Sequence, residues 1–121
     1  MGSPVADIGT SMAEVDGLLV VSLPGELSDA VLNRIVCDVS ERAADETIRG
    51  VILNLSTVTL LDMAEFEVLR RLVQTNRVLG VPTVLMGIRP GIAAYLCQMP
   101  IDTHDLTFRV DMVSALEACD A

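Results

Sequence analysis

Polar side chains that could take part in chemistry gather just after two apolar stretches of the chain. The hydroxyl groups there could accept a phosphoryl group, and the carboxylates could ligate a metal ion. In chain order these polar residues are Glu26, Ser28, Asp29, Asn54, Ser56, Thr57, Thr59 and Asp62. Their placement matters because functional groups collect at the carboxyl ends of parallel strands.

Each of these groups also has a purely structural interpretation. Ser28 suits the N-cap of a following helix, because a serine oxygen can accept a hydrogen bond from a free backbone N–H of the first turn. The hydroxyls between residues 56 and 59 suit hydrogen bonds within a turn. The three carboxylates suit a solvated acidic rim better than a metal site, so we expect no bound metal.

The sequence carries no clear signal of enzymatic catalysis. The only histidine, His104, lies between Asp102 and Asp105 in a predicted loop, and no further nitrogen or sulfur donors are near it in the sequence. All eight cationic residues are arginine, so no lysine is present for a Schiff base or a phosphate-binding loop. No serine-hydrolase or zinc-protease motif occurs. We predict a protein without catalytic residues and without a cofactor.

Charge and hydropathy exclude several classes of partner. The net charge of −9 argues against binding to nucleic acid or to anionic membranes. The mean hydropathy is +0.53, yet no apolar run approaches the roughly 18 residues of a membrane-spanning helix. With no leader pattern at its start, the sequence predicts a cytoplasmic protein. The three widely spaced cysteines are expected to be buried and reduced rather than paired or bound to zinc.

The elements that must position the polar residues alternate along the chain. Apolar runs bounded by turn residues predict strands at residues 18–23, 51–55, 81–87 and 106–110. Capping residues and helical spacing predict helices at about residues 29–44, 62–79, 90–99 and 111–120. A first strand within residues 5–15 is expected to pair with the run at 18–23, and residues 1–10 are expected to be flexible or to form a short edge strand. The order ββαβαβαβα predicts a single α/β domain over residues 1–121, with a mainly parallel sheet and about four helices.

Met63 is out of place on the second predicted helix. On a helical wheel, Phe66, Leu69, Leu72, Val73 and Leu79 share the arc expected to face the core. Met63 lies instead among the polar residues of the opposite arc. Either an irregular first turn tucks this side chain inward, or it is an exposed apolar contact for a partner, a role that the adaptable methionine side chain suits. We favour the exposed alternative.

Three further segments carry a resemblance to a known family. They are the turn Gly25-Glu26-Leu27, the stretch VILNLSTVTLLD at residues 51–62 and the stretch VLMGIRPGIA at residues 84–93. Together with the element order they resemble the STAS domain, the fold of anti-sigma factor antagonists. The last stretch is similar to the turn into the third helix of the stressosome members, the RsbS and RsbR types. The resemblance covers about residues 18–116, and the short chain is more similar to the RsbS type.

The resemblance implies a binding regulator that is switched by phosphorylation. Family members commonly carry a serine or threonine after the aspartate that begins the second helix, and a kinase phosphorylates it. Here Met63 follows Asp62 at that position, and Asn54 stands where an aspartate is often found at the end of the third strand. We therefore expect a binding surface formed by residues 25–29, residues 56–61 and Met63 that is not switched at the usual position.

The same resemblance implies the partners. They are an RsbR-like STAS protein and an RsbT-like serine/threonine switch kinase, or an anti-sigma factor, in a homo- or hetero-oligomer. Ser28, Thr57 and Thr59 are the alternative phosphorylation sites. Two other interpretations stay open: a stand-alone anti-sigma factor antagonist, and a STAS domain that binds a small ligand or nucleotide.

Overall fold

The order of the strands and helices agrees with the one that the sequence predicts. The computed structural model describes residues 11–100 and 102–120, so the expectation for residues 1–10 lies outside the described part. In chain order the elements are β1 (Ser11–Val15), β2 (Leu18–Ser22), α1 (Asp29–Ala43), β3 (Gly50–Asn54), α2 (Met63–Val78), β4 (Thr83–Met86), α3 (Pro90–Gln98), β5 (Thr107–Arg109) and α4 (Met112–Asp120).

The five strands form one sheet in the order β1-β2-β3-β4-β5. β1 and β2 pair antiparallel across a tight turn at Asp16 and Gly17, both of which have positive φ angles, as such hairpin turns require. All other neighbours pair parallel, so that Leu53 of β3 lies between Val21 of β2 and Leu85 of β4. The predicted α/β fold with a mainly parallel sheet is confirmed.

The helices divide unequally between the two faces of the sheet. The parallel strands are added one after another in the same direction across the sheet. Because the crossover connections between parallel strands are right-handed, every connecting helix then lies on the same face of the sheet. Accordingly the buried residues of α1, α2 and α3 share one large cluster with Leu19, Val21, Val51, Leu53 and Leu85, here called the major core. α4 is not a crossover helix, and it covers the other face.

That other face has a much smaller buried cluster, here called the minor core. It consists of Leu18, Ile52, Val84 and Met86 from the strands with Ala115 and Cys119 from α4. Neighbouring residues of one strand therefore point into different cores, as the two-residue repeat of a strand requires. Burial on both faces explains why β3 reads as an almost unbroken apolar run.

Side-chain caps fix the starts of α1 and α2. The Ser28 hydroxyl oxygen accepts a hydrogen bond from the backbone N–H of Val31 at 3.2 Å. Asp62 and Glu65 form a reciprocal capping box, in which the Glu65 N–H donates to Asp62 at 2.7 Å and the Asp62 N–H donates to Glu65 at 3.0 Å. Both helix starts were predicted at these positions because capping signals are local in the sequence.

Two expectations about burial are wrong. Leu79 was placed on the core arc of α2, but it is the C-cap residue and is 48% exposed, because the chain leaves the helix there toward Gly80. Cys37 and Cys97 are exposed and only Cys119 is buried, whereas all three were expected inside. Cys37 and Cys97 lie on α1 and α3, on the sides of these helices that face away from the core.

The hydropathy of the chain does not come from a membrane-spanning element. Within the described ranges, none of the helices combines the length and the apolar character needed to cross a bilayer.

Asp105 connects the loop before β5 to α2 through hydrogen bonds and an ion pair. Its carboxylate accepts a hydrogen bond from Gln74 at 3.2 Å and lies 3.6 Å from the Arg70 guanidinium, and its backbone oxygen accepts a hydrogen bond from Arg77. The hydrogen bond from Gln74, helped by the charges of Arg70 and Arg77, holds the pKa of Asp105 below its ordinary value of 3.8. The loop is thus held by groups that all favour the ionised carboxylate.

We expect the stabilisation of the fold by the ionised Asp105 carboxylate to disappear in acid. Because the pKa of Asp105 is lower in the folded chain than in the unfolded chain, its stabilising effect is present above the unfolded pKa and is lost as pH falls through the folded pKa. Urea unfolding of the wild type and of Asp105→Asn should therefore show a difference in free energy that is constant near neutral pH and shrinks as the pH falls below the ordinary aspartate pKa of 3.8. A difference that stays constant as the pH falls would contradict the role of the ionised group.

Candidate functional site

The predicted site residues lie at one edge of the sheet, where the parallel strands β2, β3 and β4 end. The turn at residues 25–29 follows β2, and the loop at residues 56–61 follows β3. α1 and α2 begin directly after these two segments. The turn 25–29, the loop 56–61, Asp62 and Met63 are called the candidate face below. Except for Asn54, which is half-buried, every polar residue predicted for this site is exposed.

Hydrogen bonds join the turn to the loop. The backbone oxygen of Gly25 accepts from the Thr59 N–H at 3.2 Å, and the Thr59 hydroxyl lies 3.4 Å from the same oxygen. A Cβ atom added at Gly25 would lie 3.4 Å from the backbone oxygen of Thr57, so the two segments are also in close contact. The candidate face is therefore one connected surface rather than two independent loops.

A second set of contacts supports the loop from the side of β4. The Asn54 side-chain oxygen accepts from the Ser56 N–H at 3.0 Å, which holds the first residues of the loop in a turn. The Arg89 guanidinium donates to the backbone oxygen of Ser56 at 3.0 Å. Asn54 thus acts as a local structural group here, and Arg89 is a support of the loop that the sequence analysis did not identify.

The hydroxyl groups of the candidate face differ in their availability. The Ser28 oxygen is occupied as a helix cap, and the Thr59 hydroxyl faces the Gly25 oxygen. The exposed Thr57 side chain makes no hydrogen bond to any of the described residues. Among the alternative phosphorylation sites, Thr57 is therefore the one whose hydroxyl is not already engaged.

Exposed apolar side chains stand out on the same surface. Met63 is 42% exposed at the first residue of a regular, capped helix, so the side chain does not tuck inward, and its role as a partner contact stays a prediction. Leu60 is 71% exposed at the tip of the loop. Tyr95 of α3 is 37% exposed and lies across a groove from Leu60, beside Arg89. Sequence reasoning did not identify Leu60 or Tyr95. For Leu60, the local sequence does not indicate which of the two neighbouring leucines, Leu60 or Leu61, is buried.

The candidate face also carries acidic groups. Glu26, Asp29 and Asp62 are exposed, and their side chains are not bonded to one another. In residues 11–100 and 102–120, no three side chains of the metal-ligating types are grouped as an ion would require. The candidate face therefore offers exposed apolar and exposed acidic side chains together, a combination that suits docking of a protein with an apolar pocket and basic groups.

Gly87 holds the end of β4 close to the loop, and we predict that a side chain there disturbs the candidate face. Gly87 has a φ of 75°, and a Cβ atom there would lie 3.2 Å from the Cβ of Ser56. Gly80 has a similar φ of 80° with open space around it, so it is a matched control. We expect Gly80→Ala to cost about 1–2 kcal/mol from the left-handed backbone alone and Gly87→Ala to cost more. Equal losses in urea unfolding would mean that the contact with Ser56 is unimportant.

The chain is similar in sequence to a known domain family and to curated proteins. A family model described as the STAS domain matches residues 10–111. The RsbT co-antagonist protein RsbRB of Bacillus subtilis (strain 168) is 25% identical over 116 residues, which are 96% of this chain and 40% of RsbRB. The chain thus spans about two fifths of the length of the curated relatives it matches.

Solved structures share the fold. A variant of RsbS from Moorella thermoacetica has a TM-score of 0.79 and 21% identity, with 92% of this chain and 94% of that chain covered. A chain in a structure of the stressosome, described as a signal integration and transduction hub, has a TM-score of 0.66 and 21% identity, with 91% and 96% covered. At these identities the likeness concerns the fold alone.

Proposed function

The chain belongs to the STAS domain family, and we propose that it is a cytoplasmic, non-enzymatic scaffold of the RsbS type that captures a switch kinase. The observation that carries the proposal is the exposed Met63 at the first residue of α2, on a face that also carries the exposed Leu60 and exposed acidic groups. At the position where family members commonly carry a phosphorylated hydroxyl, this chain presents an apolar contact.

The proposed partners are an RsbR-like STAS protein and an RsbT-like serine/threonine kinase in a stressosome-type assembly. The similarity to RsbRB, which is named as an RsbT co-antagonist, and to RsbS supports this choice. The chemistry of the candidate face adds that the kinase surface should be basic around an apolar pocket. Capture would bury Leu60 and Met63, and water would be excluded from both.

The absence of a hydroxyl at Met63 determines how the complex is released. A phosphate adds about two negative charges, which on an acidic surface would repel an acidic group or attract a basic one. Methionine cannot accept that phosphate. In our proposal, capture of the kinase is therefore constitutive or is released by modification of the RsbR-like partner, and not by modification of this chain at its second helix.

The experiment that tests the proposal is affinity capture of the tagged chain from its native host, with mass spectrometry of the co-purifying proteins. We expect an RsbR-like STAS protein together with a small switch kinase. Recovery of an anti-sigma factor alone would replace the proposal with a stand-alone anti-sigma factor antagonist. Recovery of neither would contradict a scaffold role and favour a STAS domain that binds a small ligand.

A kinase assay on the captured complex tests the absence of switching. With the kinase and ATP, the wild type should acquire no phosphate that releases the complex, whereas Met63→Ser should be phosphorylated and lose its partner. Phosphorylation of Ser28, Thr57 or Thr59 followed by dissociation of the wild type would contradict the proposal. Thr57→Val would then identify the hydroxyl responsible, because Thr57 is the one without a hydrogen bond among the described residues.

A further inference from the structure

A second groove lies on the other side of Arg89, between α3 and the end of β5. Its volume is about 860 Å³, within the range of small-molecule sites and well below what a protein partner would fill. The wall is mostly aliphatic and is made by Ile88, Ala93, Leu96, Met99 and Val110, with Phe108 as its aromatic member. Leu96 is buried, and Val110 at the rim is 86% exposed.

The charge in this groove is opposite to that of the whole chain. The sequence has 17 acidic residues and eight basic ones. The groove nevertheless contains two arginines, Arg89 and Arg109, and no carboxylate among the described residues that line it. β4 and β5 bring them together, since the Gly87 N–H donates to the Arg109 backbone oxygen at 3.0 Å, two residues before Arg89.

Both guanidinium groups have donors to spare. Arg89 donates through Nε to the Ser56 backbone oxygen, and Arg109 donates through one Nη to the backbone oxygen of Phe108. Neither has an ion-pair partner within residues 11–100 and 102–120, whereas Arg34, Arg42, Arg49 and Arg70 each pair with a carboxylate there. A guanidinium fork matches the two oxygens of a carboxylate.

We propose that this second groove binds an alkyl-chain carboxylate, such as the anion of a medium- or long-chain fatty acid. The aliphatic wall takes the alkyl chain, and Arg89 and Arg109 take the carboxylate at its mouth. A nucleotide fits less well, because the described lining residues offer two hydroxyl groups, those of Ser56 and Thr103, and one aromatic ring, that of Phe108. The site adjoins the candidate face, because Ser56 of the loop lines the second groove and its backbone oxygen accepts a hydrogen bond from Arg89.

The cysteines supply a direct test with internal controls. Cys97 lines the groove, Cys37 is exposed on α1 outside it, and Cys119 is buried. We would label the intact protein with a maleimide, with and without dodecanoate below its micellar concentration, and quantify each cysteine by mass spectrometry. We expect dodecanoate to slow labelling of Cys97 at least fivefold, with Cys37 unchanged and Cys119 still protected, which shows that the chain stays folded.

Matched variants separate the two parts of the site. Arg109→Gln should weaken dodecanoate binding about tenfold, whereas Arg71→Gln, which removes the same charge from the exposed surface of α2, should not. Ala93→Leu should fill the groove and weaken binding to a similar degree. Ala94→Leu is its control, since Ala94 is the exposed neighbour on the same helix and does not line the groove.

Several results would overturn the proposal. One is equal protection of Cys37 and Cys97, which indicates nonspecific association. Another is equally strong binding of dodecyltrimethylammonium, which has the same alkyl chain with the opposite charge. Protection of Cys97 that rises with protein concentration in the absence of dodecanoate would show that a second copy of the chain occupies the groove instead. None of these outcomes bears on the kinase scaffold proposed above.

Discussion

Leu53→Ala is expected to lower the free energy of unfolding by about 2–5 kcal/mol. Leu53 is fully buried in the middle of the sheet, between Val21 and Leu85 in register, and it belongs to the major core. Removing its side chain leaves a cavity that the neighbouring strands cannot close without breaking their hydrogen bonds, so the loss contains a cavity contribution as well as a transfer contribution. Urea unfolding with an unchanged m-value measures the effect.

Val78→Ala is the control for this truncation. Val78 is 87% exposed near the end of α2, so its replacement should change the free energy of unfolding by less than about 0.5 kcal/mol. A loss at Leu53 as small as the change at Val78 would mean that β3 is not at the centre of the core. Leu72→Ala, on the buried side of α2, should resemble Leu53→Ala.

Met63→Glu is expected to weaken kinase capture by about 100-fold or more, if the candidate face is the docking surface. A charge introduced at the centre of a desolvated apolar contact loses its hydration without gaining a partner. Replacing a residue at the centre of an interface commonly costs about 2 kcal/mol or more of binding free energy. The same change should leave the fold intact, because an acidic residue in the first turn of a helix is favoured by the helix dipole.

The chain offers a close control in Met112→Glu. Met112 is also the first residue of a helix, follows an aspartate and is 36% exposed, but it lies on α4 and outside the candidate face. The two variants carry the same change in charge at equivalent helix positions. If both bind the kinase like the wild type, the partner docks elsewhere, and if both lose binding, the loss comes from net charge rather than from contact at Met63.

The sequence predicts those features of the fold that depend on local chemistry. The capping groups Ser28 and Asp62, the stop at Gly80 and the apolar runs of the strands lie within a few residues of the element they define. The wheel also separated Met63 from the buried face of α2 correctly. It failed at Leu79, because helical spacing has no meaning at the residue where the helix ends.

The features that the sequence does not predict depend on contacts between distant segments. The Gly25 oxygen meets Thr59, and Arg89 supports the loop at Ser56, only because β2, β3 and β4 end side by side. Likewise, the choice of Leu61 over Leu60 for burial depends on how the loop lies against the core. The two exposed cysteines were missed for a different reason, because their burial was expected from residue type and not from their positions on α1 and α3.

We expect the unequal cores to make this chain unfold in two steps, first at α4 and then globally. α4 covers the minor core with few buried side chains, and its last described residue is tied to Arg49 by an exposed ion pair at 2.6 Å, a kind of contact worth only about 0–1 kcal/mol. We therefore expect α4 to lift from the sheet more readily than the other helices, while β2, β3 and β4 stay packed against α1 and α2. The lifted form uncovers an aliphatic strip across three adjacent strands. Aggregation of this protein should accordingly begin from a nearly native molecule with its last helix detached, at a lower cost in free energy than global unfolding.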